Sequence, residues 1–165
     1  MVGMPEHYGM GEFEKMRLVV LICALPLIGA EPTGYKYWGA AELKGFEKKL
    51  APKVSAQKVA TERLVDFGNH YTMVAHREGS GEAEFHEHDA DLFVVQSGTA
   101  TLVVGGQIPG SKTTAPGEMR GPSIEGGAKQ KLAAGDIVHI PSKTAHQLLL
   151  DSGKQFTYFV MKVKE

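Results

Sequence analysis

The sequence predicts an all-β chain with one short helix near its start, and three observations carry that expectation. Short runs of β-branched and aromatic residues with alternating polarity recur, as at residues 59–67 and 71–77 on either side of Gly68-Asn69. Glycine-bearing turn signals close such runs at Ser97-Gly98, at Gly105-Gly106 and at Asp151-Ser152-Gly153-Lys154. Helical periodicity appears in the segment 31–55, where Leu43, Phe46 and Leu50 share one face and Glu47, Lys48 and Lys49 lie off it.

From the start of the chain, residues 16–30 read as a secretory signal peptide: Arg17, a short apolar run, then small residues up to Ala30. The run is too short, and too interrupted by Pro26, to span a membrane. Residues 1–15 place Glu6, Glu12 and Glu14 where a signal peptide wants positive charge, so Met16 is read as the natural start. On this reading residues 1–30 are an upstream stretch plus signal peptide, cleavage falls near Ala30, and the mature protein is secreted or periplasmic.

The helix in segment 31–55 is expected to pack on the exterior of the β-domain or on a second subunit of a homodimer. Tyr35, Tyr37 and Trp38 just before it suit either a packing anchor or a sugar-stacking surface. Residues 56–165 are the β-domain. Its strands continue at 99–104, 137–140, 146–150 and 156–163, around a long Gly-, Pro-, Ser- and Thr-rich stretch at 107–130 that reads as a loop.

At 165 residues the chain is of single-domain size, with enough apolar content for one core. A formal net charge of -1 with no strongly basic stretch argues against nucleic acid as a partner. The single cysteine, Cys23, falls in the N-terminal apolar run, so no disulfide, cysteine metal site or cysteine nucleophile serves the body of the protein.

Chemistry concentrates at residues 81–98, GEAEFHEHDADLFVVQSG. On an extended strand alternate side chains share a face, so His86 and His88 are expected to aim both imidazoles at one point, an arrangement that suits a divalent metal. A buried run from Asp91 to Val95 follows and carries Asp91 back past the histidines, while the distant segment 135–146 offers His146. Glu84 falls on the histidine face by the same alternation. His76 and His139 are candidates for lining the cavity or for pairing with a polar neighbour, and Arg120 is the best candidate to meet an anionic ligand.

These two stretches resemble the two motifs of the cupin superfamily, small β-barrels that hold a metal inside. His86-x-His88, a carboxylate at Asp91, six residues and Gly98 follow the first motif; Gly135, Pro141 and His146 follow the second. Asp91 stands where glutamate is usual and one residue nearer to His88 than is common, and Ser80 takes the place of the first motif's leading glycine, flanked by Gly79 and Gly81. The resemblance implies a double-stranded β-helix, or jelly-roll barrel. It also implies one divalent transition metal (Fe, Mn, Zn or Ni) held by His86, His88, Asp91 and His146. A small molecule would meet the ion in a cavity of mostly Phe, Val and Leu, in a reaction of dioxygenase, isomerase or lyase type. The alternative is a binding module without turnover.

Overall fold

In a computed structural model of the chain, Gly3 and residues 29–165 are described, and Gly34–Glu165 form one compact unit. The expected upstream stretch and signal peptide therefore lie, up to residue 28, outside the described residues. Helix α1 spans Ala40–Leu50 and runs into a single 3-10 turn at Ala51–Lys53. The strands are β1 (Val59–Asp66), β2 (His70–Arg77), β3 (Ala83–His86), β4 (Asp89–Val104), β5 (Lys112–Ala115), β6 (Glu118–Gly121), β7 (Ala128–Ala133), β8 (Ile137–Ile140), β9 (His146–Leu149) and β10 (Phe156–Lys164).

Every pairing among them is antiparallel, and β4 joins two sheets into a curled half-barrel. Its first half pairs with β10 and β8, extending a sheet through β2 to β1. Its second half pairs with β7 and β9, and β9 leads through β3 and β6 to β5. The pivot is Gly98, at φ 78°, where a Cβ would lie 1.9 Å from the carbonyl oxygen of Gln155; only glycine fits both the left-handed backbone and that approach.

Period-two alternation sorts the side chains of the first sheet onto two faces. Ala75, Phe93, Val95, Phe156, Tyr158 and Val160 point into the barrel, where they join Leu102, Leu132, Ile140 and Leu148 in the main core. On the other face Ala60, Val74 and Phe159 meet Phe46 and Leu50 of α1. Leu50 is fully buried, and burial of a side chain that size contributes about 1.5–3 kcal/mol. Trp38 packs against Phe159 with ring centroids 5.4 Å apart, whereas Tyr35 and Tyr37 stay exposed, so Trp38 is the packing anchor of that aromatic group.

The stretch 107–130 differs from the loop expected of it. It contains the β5–β6 hairpin, turning at Gly117 with φ 75°, and β7 begins already at Ala128. Its composition is that of turns, but β6 gains its hydrogen bonds from β3, a partner remote in sequence, and tertiary pairing overrides local preference.

Candidate metal centre

Strand register assembles the site. On β3, Glu84 and His86 share a face; Glu84 stands opposite Arg120 of β6 on one side and His146 of β9 on the other, and His86 stands opposite Glu118 of β6. Across the barrel, β4 contributes Asp91, directly opposite Lys162 of β10. Glu84, His86 and His146 each offer one ligand atom, and these lie within 4.8 Å of one another.

Both imidazoles are oriented for ligation. Nδ1 of His86 bonds Glu118 Oε2 at 2.6 Å, and Nδ1 of His146 donates to the Thr144 carbonyl at 3.1 Å. That leaves both Nε2 atoms facing inward, buried and without a hydrogen-bond partner. From His86 Nε2 the distances are 3.5 Å to Glu84 Oε2 and 3.4 Å to Asp91 Oδ2; from His146 Nε2 they are 3.8 Å and 3.2 Å to the same atoms. A tetrahedral ion with bonds of about 2.0–2.2 Å keeps its ligand atoms roughly 3.3–3.6 Å apart. Two imidazole nitrogens facing carboxylate oxygens at 3.2–3.8 Å come near that spacing, and once deprotonated they suit a divalent transition metal, with Glu84, His86 and His146 as the tighter group.

Ionisation follows from the same contacts. Burial pushes the Glu84 carboxyl up, but the imidazole of His86 beside it and the charges of Arg120, His146 and Arg77 outweigh it and hold Glu84 well below the usual carboxylate range. Asp91 is likewise held low against burial by His146, His86 and Lys162. Burial lowers His86, yet its carboxylate neighbours Asp91 and Glu84 prevail and raise it to about 9.

Of the four residues implied as ligands, His86, Asp91 and His146 are brought together and His88 is not. Strand β3 ends at His86, because the Glu87 N–H turns to the Gly117 carbonyl and the Lys143 N–H takes the His86 carbonyl. The short link to β4 consumes Glu87 and His88, period-two alternation lapses there, and the His88 side chain is 68% exposed beside Glu87. Glu84 takes the place in the cluster that His88 was expected to hold.

His76 faces away from the cavity, fully buried, with Nδ1 bonded to Thr157 Oγ1 at 2.8 Å. His139 is exposed on β8. Arg120 sits on β6 rather than on a loop, touching Glu84 and lying 3.6 Å from Glu118. The cavity, about 380 Å³, is more polar than expected: Met73, Phe93 and Val160 share its wall with Arg77, Tyr158 and Lys162. Arg77 donates to Tyr158 Oη at 3.1 Å and to Glu84 Oε1 at 3.3 Å. Sequence reasoning missed Arg77, Glu118 and Lys162, and the signal for each is a cross-strand register that single-sequence patterns do not contain.

No protein-family model matches the chain, and no curated protein matches it. Solved structures do. The TT1209 protein of Thermus thermophilus superposes with TM-score 0.51 at 15% identity, over 71% of this chain and 92% of that one. A conserved protein with a double-stranded β-helix domain from Klebsiella pneumoniae gives TM-score 0.50 at 17% identity, over 78% and 90%. A cupin-2 domain protein from Rhodospirillum rubrum gives TM-score 0.48 at 18% identity, over 66% and 62%. With the two-sheet topology pivoting on β4, the likenesses to the Thermus thermophilus and Klebsiella pneumoniae proteins show that the chain has the double-stranded β-helix fold.

Proposed function

We propose that the protein binds one divalent transition metal between its sheets, with Glu84, His86 and His146 as ligands and Asp91 as the fourth, and acts there on a small molecule. The observation that carries this reading is the pair of buried, unbonded Nε2 atoms facing carboxylate oxygens of Glu84 and Asp91 at 3.2–3.8 Å. A bound ion supplies Lewis acidity, or oxygen chemistry where the metal is iron. The chain's own groups do the rest: Glu118 and Thr144 fix the ring orientations, Arg77 and Arg120 fix Glu84, and the Met73, Phe93 and Val160 wall thins out water. The reaction belongs to the dioxygenase, isomerase or lyase type.

A second reading, binding without turnover, draws on the engagement of the cavity's polar groups: Tyr158 with Arg77, Lys162 with Asp91, which leaves no free acid-base pair beside the ligands among the described residues. Metal analysis of the native protein, followed by assays with dioxygen, oxo acids and sugars, separates the two. Iron or manganese with turnover supports the enzyme; a metal-loaded protein that turns nothing over, yet melts higher with a small molecule, supports binding; a protein without metal overturns both.

Export belongs to the same reading and rests on residues 16–30; native protein with those residues still attached would contradict it. A homodimer is supported by the exposed Tyr35 and Tyr37 beside the helix, and the mass in solution tests it.

A further inference from the structure

We infer that the metal-loaded cavity takes a small anion, a carboxylate or a phosphate, held by Lys162, Arg120 and Arg77. This rests on the metal reading above and adds the class of its ligand.

The argument is one of charge. Around the site, three cations (Arg77, Arg120, Lys162) face three carboxylates (Glu84, Glu118, Asp91), so the side chains balance one another. The histidines are neutral when they ligate, so a divalent ion would bring two positive charges into a low-dielectric pocket where these described side chains already balance. One further acid lines the cavity, Glu82, and it is exposed at the rim, where water screens it. The imbalance is met by an anion.

Donors for that anion are already placed. Lys162 Nζ and Arg120 Nη1 are buried without an aligned hydrogen bond, although each touches a carboxylate oxygen. Once Asp91 and Glu84 share their oxygens with an ion, both cationic groups are left with donor capacity aimed into the cavity. Arg77 presents a rigid fork, held by Tyr158 and Glu84 and pressed against Gly81, where a Cβ would lie 2.5 Å from its Nη1. Met73, Phe93 and Val160 on the same wall leave room for a short apolar body, which suits an organic anion.

The test loads the protein with zinc, measures metal per chain, and titrates malonate, its neutral diamide and inorganic phosphate by calorimetry at two salt concentrations. Malonate or phosphate should bind and the diamide should not, with affinity falling as salt rises. Whichever anion binds more tightly assigns the class. Lys162→Met, with its metal content retained, should weaken binding about tenfold or more, the scale of one charge-assisted hydrogen bond. Arg120→Gln serves in its place if that variant does not fold. Anion binding unchanged in both variants, a diamide bound as tightly as malonate, or a metal-loaded protein that ignores both anions overturns this inference alone. A protein that takes up no metal overturns the metal reading and this inference with it.

Discussion

Lys162 Nζ lies 2.6 Å from Asp91 Oδ1 inside the barrel, and the same carboxylate turns its other oxygen toward His86 and His146. Asp91 is 2% exposed, so removing its charge strands the ammonium in a low-dielectric interior, a loss of about 3 kcal/mol. Asp91→Asn should therefore destabilise the metal-free protein on that scale in urea unfolding, and adding Lys162→Met should restore much of it. An Asp91→Asn protein as stable as wild type would show that the pair carries no weight.

His86→Ala and His146→Ala should each sharply reduce metal per chain while circular dichroism stays that of the folded barrel, because Phe93, Phe156 and Tyr158 bury enough apolar surface to hold it. His88→Ala should leave metal content unchanged, since its ring is exposed away from the cluster. Loss of metal in the His88 variant, with retention in the other two, would return His88 to the site and dismiss the geometry around Glu84.

Gly81 tests how firmly Arg77 is held. An added Cβ would lie 2.5 Å from Nη1 and 2.9 Å from Cζ of a guanidinium already pinned by Tyr158 and Glu84. Gly81→Ala should cost about 1–3 kcal/mol, as overpacking does. Gly45→Ala is the contrasting substitution: it lies within α1 with nothing inside 4 Å of its added methyl, so it should gain roughly 0.5–1 kcal/mol. Equal melting temperatures for the two variants would refute the assignment.

Asp66 closes the β1–β2 turn, accepting the Gly68 N–H at 2.8 Å and an Arg63 Nη2 hydrogen at 2.6 Å. The Gly68 bond, helped by the Arg63 charge against a smaller effect of burial, lowers its pKa. A depressed carboxylate adds stability that is full above the unfolded value of about 3.9 and disappears as pH falls through the folded one. The melting-temperature gap between wild type and Asp66→Ala should thus be small at neutral pH and narrow in acid. A gap that widens as pH falls would reverse the sign.

Alternation and glycine turns made most of the fold readable, because a strand's inward and outward residues are written in its own sequence. Val59, Thr61, Tyr71 and Met73 line the cavity while Ala60 and Val74 face α1, as a period of two requires. The site was readable only where a local rule held. His86 and Glu84 obey the strand rule; His88 escapes it because the Glu87 bond to Gly117 and the Lys143 bond to His86 end the strand at His86. Glu118 and Lys162 reach the site through pairings with distant partners, and nothing near Glu118 in the sequence names His86 as its neighbour.

Strand β4 runs for 16 residues through both sheets, and its neighbours β8, β9 and β10 all come from the last part of the chain. During synthesis, His86 and Asp91 leave the ribosome well before His146 exists, and Asp91 has no wall behind it until Lys162 follows. Such remote pairings close late. The proposed cation would consequently load only after translation, because a nascent chain has scattered donors and no coordination sphere.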